Sequence, residues 1–292
     1  MTKYLKLIMK TKNVSLFLLL TLATVGSLNA QYRVKSVTCF SRHMENIIEC
    51  SHTLSYDDQG KITAVEVKEI SPKSGEVMRV KSMPVEYEKN AIKIPKDSKY
   101  GMSFYYDELK IDNQNRITNI GRSLSIKYNK DGSFNELTRD VIKYKAQYDE
   151  QGRLSALLHK DTGRSNHIYY NENGLVKEIS LRSDYYKQTA IPFWTGACLD
   201  SVLVYNRDNK IEMKIVFTYN ENNNLVDQKI FKLLPDYSRT DDSLILFTHY
   251  IITYEEGKGN DDSIYLKYND WLVSILLDRK SFDYALNFQS YN

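Results

Sequence analysis

The chain is poor in the patterns that usually carry chemistry. Its five histidines (His43, His52, His159, His167 and His249) show no zinc-ligand spacing and no His-Glu-x-x-His. There is no Gly-x-Ser-x-Gly elbow, no phosphate loop and no dinucleotide fingerprint. No pair of carboxylates stands out as an acid and a base. These absences lead us to expect no enzyme activity, no bound metal and no cofactor. An excess of one charge is also lacking. The 40 basic and 37 acidic residues leave a formal charge of +3, and they are scattered rather than clustered. That excludes the basic face a nucleic-acid partner requires. Helical periodicity is scarce after Ala30, and no apolar run beyond it is long enough to span a bilayer as a helix.

What the chain has is a recurring phrase. Tyr148-Asp149-Glu150-Gln151-Gly152-Arg153-Leu154 reads tyrosine, acid, two polar residues, glycine, base, apolar. It returns at Tyr56–Ile62, Tyr128–Phe134 and Tyr170–Val176. Looser copies start at Tyr205 and Tyr219, with Asn209 and Asn223 in the glycine place, and Ile111–Ile117 is a copy without the tyrosine. Period-two alternation leads into each copy, as in Ile142, Tyr144, Ala146 and Tyr148 between Lys143, Lys145 and Gln147. That is a strand with one wet face. Asx residues followed by Gly or Asn then turn the chain sharply. Apolar residues such as Leu154 and Leu157 restart a strand. Each unit is therefore a β-hairpin, and a repeat of hairpins implies an array in which each unit needs its neighbours for a core. The expected fold is all-β: an antiparallel meander of stacked hairpins forming an extended, curved or partly closed sheet. The 23 tyrosines, against 10 Phe and 2 Trp, would stack as a ladder with buried rings and wet hydroxyls.

The copies at Tyr56–Ile62 and Tyr148–Leu154, and more weakly those at Tyr128 and Tyr170, resemble the tyrosine-aspartate (YD) repeats of the Rhs and teneurin families. They also resemble hairpin-repeat proteins exported by bacteria of the Bacteroides group. Asn-Gly phrases such as Tyr170–Gly174 are similar, second, to MORN-like repeats. The resemblance implies stacked hairpins. This chain is too short for the toxin-enclosing shell of the large Rhs proteins, so encapsulation is not implied.

Residues 1–30 read as an export signal. Lys3, Lys6, Lys10 and Lys12 precede an apolar run from Val14 to Leu28, and Leu28-Asn29-Ala30 offers a cleavage site before Gln31. A retained anchor helix is the competing reading. No cysteine follows the run closely enough for lipidation. Export to the periplasm, the outer-membrane surface or the medium permits disulfides. Cys39 and Cys50 flank a turn at His43–Asn46 and would face each other across a hairpin, which makes a disulfide feasible. Cys198 would be left over. Cys50 and His52 share one side of the same strand. The simpler reading makes Cys50 a disulfide partner and His52 a surface residue.

We expect an N-terminal β cap over residues 31–99 and a hairpin array over 100–292. Three stretches break the pattern and are expected to leave the sheet: Ser71–Lys99, Tyr185–Leu199 and Leu233–Ser243. The second holds Tyr185, Tyr186, Phe193 and Trp194. These aromatics would hold a sugar or peptide, or else plug the end of the sheet. The oxygen-rich turns Asp57–Gly60 and Asn220–Asn223 match no calcium loop and are explained as turns. The function expected is a non-enzymatic β-repeat module at the cell envelope with a protein or glycan partner. Two alternatives stand beside it. One is an outer-membrane β-barrel, for which Phe282, Tyr284, Leu286 and Phe288 alternate as a last strand would. The other is a secreted hydrolase with a scattered site.

Overall fold

The structure is a computed structural model that describes residues 32–43, 46–71, 74–98, 104–114, 116–120, 124–139, 142–161, 165–182, 187–233, 244–257 and 289–290. The alternating segments form strands β1 (Tyr32–His43), β2 (Asn46–Tyr56), β3 (Ile62–Ile70), β4 (Val77–Pro84), β5 (Glu86–Glu88), β6 (Ala91–Ser98) and β7 (Phe104–Ile111). Then come β8 (Ile117–Ile120), β9 (Leu124–Tyr128), β10 (Phe134–Arg139), β11 (Ile142–Tyr148), β12 (Leu154–His159) and β13 (Ser165–Tyr170). The last are β14 (Val176–Arg182), β15 (Lys187–Thr195), β16 (Cys198–Tyr205), β17 (Ile211–Tyr219), β18 (Leu225–Lys232), β19 (Ile245–Glu256) and the short β20 (Gln289–Ser290). All belong to one sheet.

From β1 to β4 and from β5 to β19, neighbours in sequence pair antiparallel, as hairpins must. The meander then turns back on itself, and β1 pairs with β19 from Tyr32↔Glu256 to Ser41↔Thr248. The result is a nearly closed barrel. One break remains among the described residues. β4 pairs with β3, β5 pairs with β6, and no pairing joins β4 to β6. Pro84 ends β4 there and has no N–H to offer. β20 lies parallel to β6, with Gln289 opposite Asp97. Phe104 of β7 already pairs with Asp97, so β20 takes the other edge, the one toward the break.

Two stretches expected to leave the sheet are part of it. Residues 77–98 form β4, β5 and β6, and Lys187–Thr195 forms β15. Pro95 and Pro192 broke the alternation there without breaking β6 and β15. The third stretch, Leu233–Ser243, lies outside the described residues apart from Leu233. Residues 32–98 supply β1–β6 of the same sheet. The signal segment and Phe282–Phe288 lie outside the described residues.

The alternation sorts each strand into two faces. Val34, Val37, Leu54, Val65, Ile179, Val202, Ile215, Ile230 and Ile252 turn inward and are buried. They form one continuous core. The outer face carries Thr38, Ser51, Glu66, Lys68, Lys143, Lys145, Lys214 and Lys229. Burying the apolar face contributes about 25 cal/mol for each Å² removed from water.

Candidate functional site

The repeated phrase has a complete physical account. Its acid or Asn opens an Asx turn. Asp149 Oδ1 accepts the backbone N–H of Gln151 at 3.0 Å and of Arg153 at 2.8 Å. Asp57, Asp112, Asn206 and Asn220 do the same for the residues two and four places on. Its glycine bends the chain into the left-handed region: φ is 82° at Gly60 and 76° at Gly152. Asn209 and Asn223, each at 59°, replace it where glycine is missing. Plain alternation turns Tyr56, Tyr148, Tyr170 and Tyr219 inward, and a bulge in the strand after each turn brings the closing apolar residue (Ile62, Leu154, Val176 or Leu225) opposite the tyrosine.

The tyrosine stitches one hairpin to the last. Tyr170 Oη donates to the carbonyl of Leu154 at 2.8 Å, and Leu154 is the apolar residue that closes the preceding phrase. Tyr56 donates to Val34 at 2.6 Å, Tyr87 to Ile62 at 3.0 Å, Tyr219 to Leu199 at 3.1 Å and Tyr254 to Leu225 at 2.9 Å. Tyr148 donates to Phe134. The hydroxyls expected to be wet are spent on backbone acceptors. The base clamps both units. Arg153 Nε donates to Asp149 Oδ2 at 2.7 Å, and its guanidinium lies 4.3 Å from the ring centre of Tyr170. Arg116 repeats this with Asp112 and Tyr128. At the closure Arg33 binds Glu255 of β19 and stacks on Tyr56 of β2. All these stitches lie at one rim of the barrel.

The structure separates Phe193 from Trp194. Trp194 belongs to this rim. Its indole Nε1 donates to the carbonyl of Val176 at 2.9 Å, where a tyrosine would do so elsewhere. Phe193 points the other way, onto the outer wall, and is 45% exposed. Tyr185 and Tyr186 lie outside the described residues, in the connection before β15. Sequence reasoning missed Trp194 as a ladder member, although Gly196 two places on marks the turn.

Inside the wall is a polar row. Cys39 and Cys50 are strand partners, as the hairpin reading expects. Both are buried thiols. Tyr250 pairs with Cys39 on the other side, and Gln228 lies beyond it. Burial pushes the Cys39 thiol up to about 12, against a hydrogen bond from Tyr250 that acts the other way. His52 Nε2 sits 3.3 Å from Cys50 Sγ. His52 is not at the surface: it is 2% exposed, and burial lowers its pKa to about 4. Cys198 lies apart, 3.9 Å from Asn223 Oδ1.

The remaining histidines do not join it. His249 Nε2 lies 2.6 Å from Asp227 Oδ2 on the outer wall, stacked on Phe40, and Lys229 Nζ is 3.4 Å from the other oxygen of that carboxylate. His167 Nε2 is 2.5 Å from Ser165 Oγ beside the Tyr169 ring. His159 packs edge-on to Tyr144. His43 ends β1. Among the described residues no group of three His, Cys, Asp or Glu side chains is placed to hold a metal.

Several large apolar side chains are exposed. On the outer wall of β13–β19 are Tyr169, Phe193, Leu246 and Ile251. On β4, beside the break, are Val77, Met78 and Val80.

No family model matches the chain, and no curated protein matches it. Among solved structures, a porin-like protein from Bacteroides uniformis is 11% identical with a TM-score of 0.41, over 76% of this chain and 98% of that one. A LolA superfamily protein from Nitrosomonas europaea is 8% identical with a TM-score of 0.29, over 85% and 95%. A porin-like protein from Bacteroides vulgatus is 9% identical with a TM-score of 0.28, over 76% and 98%.

Proposed function

We propose that the protein is an exported, non-catalytic binding module of the cell envelope, a YD-like hairpin-repeat scaffold that holds a glycan or protein partner on its outer wall. The observation that carries this reading is the division of labour between the faces. The inner face and the stitched rim are spent on holding the sheet. Tyr169 and Phe193 are large rings, 47% and 45% exposed, on a wall otherwise rich in hydroxyls and charges. Exposed rings beside polar groups are what a sugar face or a peptide requires. The two histidine pairs of that wall give a hydrolase little support. Lys229 neighbours the His249–Asp227 pair, and no acid neighbours Ser165 and His167 among the described contacts.

The membrane-barrel alternative is opposed by the same two faces. A transmembrane barrel shows lipid an apolar band and encloses a polar lumen. Here the buried inner face is apolar and the outer face carries Lys143, Lys145 and Lys214.

The test is retention of the chain beginning at Gln31 on envelope glycans and on envelope proteins, each immobilised. Tyr169→Ala with Phe193→Ala is expected to weaken retention about ten-fold or more, with the far-ultraviolet circular dichroism unchanged. Unchanged retention overturns the outer-wall reading. Loss with Met78→Ser and Val80→Ser instead places the partner on the β4 edge, as strand addition would.

A further inference from the structure

We infer that Cys39 and Cys50 are oxidised to a cross-strand disulfide while the β1–β2 hairpin is still open, and that closure of the barrel then seals the bond inside. The inference rests on the export reading for its oxidant.

The geometry comes from register. Cys39 and Cys50 stand directly opposite each other on antiparallel neighbours. Such residues have Cα atoms about 4.5–5.5 Å apart, inside the roughly 4.4–6.8 Å that a disulfide spans. Cys198 opens β16 and has Thr195 as its strand partner, so the register brings no other two cysteines together.

The order of events comes from topology and burial. β1 and β2 are joined by Met44 and Glu45 alone, whereas β1 meets β19 through contacts such as Arg33 to Glu255, 222 residues apart. Local hairpins close before such distant pairs because loop closure costs less. Once β19 docks, Cys39 is 8% and Cys50 4% exposed. An external disulfide no longer reaches them, and burial holds the Cys39 thiol near 12, with almost no thiolate. His52, 3.3 Å from Cys50 Sγ, adds to the contrast. An imidazole on an open hairpin has its ordinary basicity and accepts a thiol proton near neutrality. Burial in the closed barrel takes that basicity away.

The chemistry balances with one co-reactant, an external disulfide: that of a thiol–disulfide oxidoreductase or of a small thiol in its oxidised form. The Cys50 thiolate attacks one of its sulfurs, a mixed disulfide forms, and one thiolate leaves. The Cys39 thiolate then attacks Cys50 Sγ, the protein disulfide forms, and the second thiolate leaves. The protein gives up two electrons and two protons, and the external disulfide takes both and becomes two thiols.

The experiment uses the reduced chain from Gln31 and oxidised glutathione as the probe. One sample is unfolded and then refolded with the probe. A second is refolded first and then given the probe. Both are alkylated, weighed intact and peptide-mapped. The refolded sample is expected to carry one alkyl label, on Cys198, and a Cys39–Cys50 cross-linked peptide. In the pre-folded sample the cross-link should appear about ten-fold more slowly or worse. Full labelling of all three cysteines after oxidative refolding overturns the proposal, as does a bond to Cys198. Equal rates in the two samples overturn the order of events. Cys198→Ser, which leaves the pair untouched, should behave identically and excludes a route through mispairing. Export is tested separately, by N-terminal sequencing of protein recovered from cells. A chain that keeps Met1 would remove the oxidant's source and leave the refolding result standing.

Discussion

The two rims of the barrel are built differently. At one rim the turns are short and alike: Asp57–Lys61, Asn129–Ser133, Asp149–Arg153, Asn171–Leu175 and Asn220–Asn224 close with the same pair of backbone hydrogen bonds. Each is stitched to a neighbour by a tyrosine or by Trp194. At the other rim the connections vary in length, from residues 44–45 between β1 and β2 to residues 233–244 between β18 and β19. One turn there, Asn206–Lys210, uses the same Asx chemistry, but no stitch from Tyr205 joins it among the described contacts. The phrase is thus two devices. Asp or Asn with Gly makes a turn that works anywhere. Tyrosine, base and apolar residue make a stitch that works only where like turns stand side by side. The stitched rim fixes the sheet, and the other is free to vary.

Substitutions separate the two devices, and the largest effect is expected at the stitch. Tyr170→Ala removes a ring, its cation contact and a hydrogen bond, and should cost about 3–5 kcal/mol in urea unfolding. Acid comes next and acts on the interior rather than the rim. His52 binds a proton below about 6.5 when unfolded but only below about 4 when folded. Its contribution is complete above 6.5 and is lost as pH falls through that window toward 4. His52→Leu should flatten that slope. The rim behaves oppositely. Burial raises Tyr148, Tyr170 and Tyr219 from about 10 to about 12, so their contribution is complete below about 10 and is lost as pH rises from there toward 12. Gly152→Val forces a branched side chain into the left-handed region and should cost about 2 kcal/mol. Tyr170→Phe removes one hydroxyl and leaves a carbonyl without its donor, about 1 kcal/mol. Asn209→Gly and Asn223→Gly, one at each rim, should each stabilise by about 0.5 kcal/mol. Equal gains would show that the turn device is indifferent to the stitch.

Much of this was legible because it is local. The Asx and glycine positions define the turns, the alternation defines the faces, and the spacing of Cys39 and Cys50 about their turn defines the register. What was hidden is long-range or substituted. Closure joins β1 to β19, and no periodicity announces which strands meet across some two hundred residues of chain. Trp194 does a tyrosine's work with an indole N–H, and Pro192 beside it made a strand read as a break. The hydroxyls were expected to be wet because sequence shows a donor but not the carbonyl on the neighbouring strand. Phe193 and Trp194 were read together because neighbours in sequence look like neighbours in space, whereas a strand sends them to opposite faces.

The stitch can be tested most directly by removing several hydroxyls and nothing else. Tyr56→Phe, Tyr170→Phe and Tyr219→Phe combined should lower the unfolding free energy by about 3 kcal/mol, near the sum of the single losses, with the urea dependence and the strand signal unchanged. A combined loss under about 0.5 kcal/mol in a chain folded as before would contradict the account.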